Sequence, residues 1–69
     1  MKIGKEQYVK ARIDSGLDQG EAARLFGISQ TAASHLETGV TKNIKPVYYA
    51  LLVAWSYLPD AEKARLLAA

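Results

Sequence analysis

Residues 18–39 read DQGEAARLFGISQTAASHLETG, and the spacing of caps, small residues and glycines in that stretch decides the fold. Asp18 is a good N-cap, and Glu21 three residues on completes a D-x-x-E capping box, so a helix is expected to start at Gln19. Ala22, Ala23, Leu25 and Phe26 supply an apolar stripe at helical spacing. Ala23 sits where a second helix would approach most closely, which calls for a small side chain. Gly27 follows the last turn and suits the left-handed conformation that stops a helix. Ile28 is placed to plug the corner. Ser29 caps the next helix, expected from Gln30 to Glu37 and stopping near Gly39.

Two short helices joined by a tight turn make a helix-turn-helix, a unit that can present its second helix to the major groove of DNA. In that second helix Ala33 and Leu36 point to the core. Gln30, Thr31, Ser34 and His35 share another face. That face is polar, short and uncharged unless His35 is protonated, which suits hydrogen bonding to base edges. Spacing by itself leaves another reading open, because two capped helices with a glycine between them also occur in small helical proteins of other kinds. Gly20 counts slightly against the first helix, since glycine costs roughly 1 kcal/mol relative to alanine there. Close packing or close approach of the backbone to a phosphate would account for it.

The chain has 69 residues, enough for one domain with a small core. It has no cysteine, which removes disulfides and thiolate metal sites. The start, MKIGKEQYVK, lacks the apolar run of a signal peptide, and no apolar stretch reaches the roughly 20 residues that span a bilayer. Nine basic and seven acidic residues give a formal charge of +2, too weak for total charge to identify a nucleic-acid binder. The distribution is more telling. Lys2, Lys5, Lys10 and Arg12 face only Glu6 within the first twelve residues, where they read as ordinary solvated charge. Lys42 and Lys45 lie in an acid-free stretch just after the second motif helix, within reach of phosphates flanking a groove.

The fold class expected is all-α, a compact bundle of about five short helices at residues 5–15, 19–26, 30–37, 46–58 and 61–67. The whole chain, 1–69, is read as a single helix-turn-helix domain with a C-terminal dimerisation helix. In the first helix Tyr8, Val9 and Ile13 are expected to face the core, with Gly16 ending it and Leu17 packing in the turn. Residues 38–45 are expected to form a polar loop. Pro46 opens a helix at the position that tolerates proline, Pro59 breaks it, and Asp60 caps the last one. The helix from Pro46 is apolar almost all round. Val47, Leu51, Ala54 and Leu58 make one stripe, and Tyr48, Leu52 and Trp55 a second. If one stripe is buried, the other is exposed and marks an interface. Tyr48, Leu52 and Trp55 are assigned to a homodimer interface, unless the last helix folds back over them.

The chain resembles the Cro/repressor class of helix-turn-helix transcriptional regulators of lambdoid phage type. The matching residues are Arg12-Ile13, Gly16-Leu17, Gln19, Glu21, Ala23, Gly27, Gln30, Leu36-Glu37, Gly39 and Thr41-Lys42, within a likeness over residues 8–55. A slighter likeness, carried by Lys45-Pro46-Val47-Tyr48-Tyr49, is to small anti-CRISPR-associated autorepressors. The family resemblance implies base contacts by Gln30, Thr31, Ser34 and His35. It implies phosphate contacts by Gln19, Lys42, Asn43 and Lys45, and a structural ion pair between Arg12 and Glu37. Asp18 departs from the family's frequent Thr or Asn, and Ala22 from a commoner Leu.

The functional expectation is a sequence-specific regulator of double-stranded DNA, a homodimeric repressor or autorepressor of a phage or bacterial operon. It would read an inverted repeat through the major groove, in the cytoplasm of a bacterial host. The competing expectation is a helical protein-interaction module, such as an antitoxin or phage adaptor, whose apolar helix binds another protein. No cofactor, metal, small-molecule ligand or membrane partner is expected. An enzyme is not expected either. Ser34 and His35 are consecutive on a helix, so their side chains diverge by about 100° and make a poor nucleophile-base pair.

Overall fold

In the computed structural model, which describes residues 2–68, five helices follow one another: α1 (Lys5–Ser15), α2 (Gln19–Phe26), α3 (Gln30–Thr38), α4 (Pro46–Ser56) and α5 (Asp60–Ala68). The architecture is an all-α bundle. Its Cα radius of gyration is 11.4 Å, against about 11 Å for a compact chain of this length. Among the described residues no helix is long and apolar enough to cross a membrane.

The helix ends are set by local chemistry. Asp18 and Glu21 form the reciprocal capping box, with the Glu21 N–H donating to Asp18 Oδ1 at 2.8 Å and the Asp18 N–H donating to Glu21 Oε1 at 3.0 Å. Ser29 Oγ accepts from the Ala32 N–H at 3.1 Å. Gly27 and Gly39 terminate α2 and α3 at φ 73° and 86°, where a β-carbon would be strained. Behind each of them a backbone bond closes the helix, Ile28 N–H to Ala23 O at 3.0 Å and Thr41 N–H to His35 O at 3.2 Å.

The core gathers Ile3, Tyr8, Leu17, Leu36, Ile44, Leu52 and Trp55. α1 lies between α4 and α3, α2 packs on α3, and α5 rests against α2. Ala22, Ala23 and Ala33 are buried and small, which lets α2 and α3 approach closely. Phe26 of α2 stacks on Tyr48 of α4 with ring centroids 4.6 Å apart.

Several expectations are corrected. α3 runs one residue further, through Thr38. α4 stops at Ser56 rather than residue 58, with Tyr57 as its C-cap. Asp60 does not cap α5 from outside but lies in its first turn, and the Pro59 carbonyl accepts from the N–H groups of Glu62 and Lys63. Ile13 is 62% exposed rather than in the core. The inward stripe of α1 is Tyr8, Arg12 and Ser15, because Arg12 must reach α3, and that rotation turns Ile13 outward. Nor are residues 38–45 wholly polar in role. Ile44 is buried and forms an isolated antiparallel bridge with Ile3.

The assignment of Tyr48, Leu52 and Trp55 to a dimer interface is also overturned. Leu52 and Trp55 are buried within the single chain, and Tyr48 is half-buried against Phe26. Aromatic side chains carry the largest apolar area, about 150–250 Å² each. Turning this stripe inward therefore removes more surface from water than burying Val47, Ala54 and their neighbours.

Candidate functional site

α3 is anchored from beneath. Ala33 and Leu36 are buried, and Glu37 meets Arg12 of α1 in a two-pronged ion pair, Nε to Oε2 at 2.7 Å and Nη2 to Oε1 at 3.2 Å. Arg12 Nη1 also donates to the Leu17 carbonyl at 2.9 Å. The two side chains are only 17% and 12% exposed, so the pair ties α1, the turn after it and α3 into one unit. Both charged groups are consumed by this bracing. Beside it the Tyr8 hydroxyl is buried without a hydrogen-bond partner among the described residues. Burial pushes its pKa up to about 12, with the Glu37 charge adding to the rise and Arg12 opposing it.

The opposite side of α3 is free. Gln30, Thr31 and His35 are exposed, and Ser34 is half-buried. Thr38, absent from the sequence-based site, joins this face because the helix continues through it: Thr31, Ser34, His35 and Thr38 follow helical spacing. Gln19 is half-buried at the start of α2. The Gln30 side chain lies near Gly20, its Oε1 3.8 Å from where a β-carbon on Gly20 would sit. The starts of α2 and α3 are therefore neighbours.

Lys42, Asn43 and Lys45 are all exposed. They are held by the residue between them, since Ile44 is drawn into the core against Ile3. That bridge has a second effect. It brings the N-terminal segment alongside the loop, so Lys2 lines a surface cleft with Asn43 and Lys45, and a neighbouring one with Lys42. Lys5 reaches the C-terminal end of α3, with Nζ 3.7 Å from the place a β-carbon on Gly39 would occupy. Four lysines thus gather where the sequence showed two separate groups. The signal lay in Ile3 and Ile44, lone apolar residues each flanked by lysines, but nothing local says that they pair.

The arrangement offers hydrogen-bond donors and acceptors on one helix face, with exposed lysines gathered near the end of that helix. Among the described residues no cluster of three or more His, Cys, Asp or Glu gathers as a metal would require. None of the family models, curated proteins or solved structures compared with the chain matches it.

Proposed function

We propose that the chain is a sequence-reading, DNA-binding transcriptional regulator, most simply a repressor, which lays α3 into the major groove. The observation that carries the reading is the division of labour around α3. Its acidic residue, Glu37, is neutralised by Arg12 on the inner side, while a polar face of Gln30, Thr31, Ser34, His35 and Thr38, free of carboxylates, points away from the core. Carboxylates on that face would repel phosphates, and it carries none. Short amide and hydroxyl groups match base edges, with Gln30 suited to the N6 and N7 positions of adenine and Thr31 to a thymine methyl group. Lys42 and Lys45, joined by Lys2 and Lys5, are suited to phosphates and fix the register of the helix on the duplex. Gln19, at the positive end of α2, and Asn43 would add phosphate contacts. One copy reads one half-site, and two copies related by a twofold axis read an inverted repeat.

The test is selection of random duplex DNA by the purified protein at about 150 mM salt, a concentration at which non-specific binding is weak. Enrichment of a defined half-site is expected. Gln30→Ala should then relax preference at one or two base pairs by about 1–3 kcal/mol. Lys42→Ala should weaken all sequences alike and lower the salt slope by about one unit. A folded protein that enriches nothing would refute the DNA reading and leave the protein-interaction module in its place.

A further inference from the structure

The antiparallel bridge between Ile3 and Ile44 positions more than two apolar side chains. Side chains alternate along extended backbone. Ile3 and Ile44 turn into the core, at 2% and 5% exposure, so the residues next to them face outward. The two segments run in opposite directions across the bridge, which sets Lys2 opposite Lys45. Both lysines are exposed, and both line one cleft with Asn43.

Like charges placed opposite one another across paired strands repel. No acid among the described residues offsets this. Asp14, Glu37 and Glu62 pair with Lys10, Arg12 and Arg65 instead. Neither this cleft nor its neighbour, which Lys2 shares with Lys5 and Lys42, is lined by a carboxylate. Two buried isoleucines thus hold together a pair of cations that has no counter-charge of its own. An ammonium is a point charge with three rotatable donors, so two of them can share the oxygens of one phosphate.

We infer that Lys2 and Lys45, with the Asn43 amide beside them, form one subsite for a single backbone phosphate of duplex DNA, and that Ile3 and Ile44 are its positioning residues. The identity of the anion rests on the DNA reading of α3. What is added is a joint site for two lysines 43 positions apart in the sequence, and the contact that builds it. Lysines on separate phosphates act independently. Lysines on one phosphate act together, and only while the bridge is closed.

Titration of random-sequence duplex at several salt concentrations tests it. A phosphate contact carries no base information, so the measurement reads out whether or not α3 selects a sequence. Lys2→Ala is expected to weaken binding by about threefold or more. Lys2→Ala combined with Lys45→Ala should lower the salt slope by about one unit per subunit, the value for one phosphate. On an Ile3→Ala background Lys2→Ala should lose most of its effect, and on an Ile3→Val background it should keep it. Ile3→Cys with Ile44→Cys supplies a second route should Ile3→Ala fail to fold. Facing Cα atoms of an antiparallel pair lie about 4.5–5.5 Å apart, within disulfide reach, and the chain has no native cysteine. With that pair oxidised, Lys2→Ala should show its full effect.

Lys2→Ala that binds like the parent overturns the inference. So does a loss of about two slope units in the double lysine variant, which would put the lysines on two phosphates. A Lys2→Ala effect that Ile3→Ala leaves unchanged, or that vanishes in the oxidised cysteine pair, removes the isoleucines as positioning residues. A parent protein that binds no duplex overturns the DNA reading and the subsite together. Duplex binding without enrichment of any sequence overturns only the base-reading role of α3.

Discussion

The α2–turn–α3 unit and α4 are both short helical stretches, yet they are specified in different ways. α2 and α3 begin at side-chain caps and end at left-handed glycines, and each has a polar side and an apolar side. α4 has no side-chain cap hydrogen bond and is apolar nearly all round. The first unit carries its orientation within its own residues. The second takes its orientation from whatever it packs against, here Phe26 on one side and the core around Tyr8 on the other. Local signals therefore place helices, but only an amphipathic pattern tells which way a helix faces.

The largest effect is expected where α3 is braced. Glu37→Ala leaves Arg12 buried and unpaired, and should lower stability by about 3–5 kcal/mol in chemical denaturation. Replacing both partners by methionine should cost less than Glu37→Ala. An unchanged unfolding midpoint for Glu37→Ala would show that α3 is held by its apolar residues alone.

Next comes the face of α4. Leu52→Ala should lose about 2–5 kcal/mol by opening a cavity, whereas Val47→Ala should stay within about 0.5 kcal/mol when measured on dilute, monomeric protein. The reverse ranking would mean that α4 is rotated by half a turn, and the contrast between the two regions would break down.

Alkaline titration probes the boundary between the two regions, where Tyr8 lies. Its folded pKa of about 12 exceeds the unfolded value of 10.0. The folded state therefore holds the proton more tightly. Its contribution is complete below pH 10 and is lost as pH rises toward about 12, by roughly 2–3 kcal/mol. Tyr8→Phe should remove that component of the alkaline loss. At neutral pH the variant should be no less stable than the parent, since the hydroxyl it deletes has no partner. Parallel alkaline curves for the two proteins would contradict the assignment.

The smallest effect sharpens the first region. A β-carbon on Gly20 would meet Asp18 Oδ1 at 3.5 Å and Gln30 Oε1 at 3.8 Å, ordinary contact distances. Gly20→Ala should therefore raise stability by about 0.5–1 kcal/mol. Weaker DNA binding alongside that gain would assign the glycine to close approach by phosphate. Stability and binding that both improve would remove that explanation.

How much of this was legible follows from the same contrast. The Asp18–Glu21 box, the Ser29 cap and the stops at Gly27 and Gly39 act within a few residues, and each could be read directly. Ile13 could not. Paired with Val9 at helical spacing it looks like a core residue, but the long-range reach of Arg12 to Glu37 decides the rotation of α1. The stripes of α4 were both visible, and only the area each removes from water separates them. The Ile3–Ile44 bridge spans most of the chain, and with it the gathering of Lys2 and Lys5 beside Lys42 and Lys45 was out of reach of any local pattern. The free face of α3 could be read because Ala33 and Leu36 mark its inner side; Thr38 was missed by one residue of helix length.

That bridge also has a kinetic meaning. The turn between α2 and α3 closes over a few residues, while Ile3 and Ile44 meet across the whole of α1, α2 and α3, a contact of high sequence separation that costs more closure entropy. In native-state hydrogen exchange the amides around Ile44 should therefore exchange through a shallow, local opening, while those of α3 wait for global unfolding. An arm that opens this way would lose protection at Ile3 and Ile44 together while α3 keeps its own, so the exchange pattern reports whether the bridge acts as a unit separate from the helix beside it.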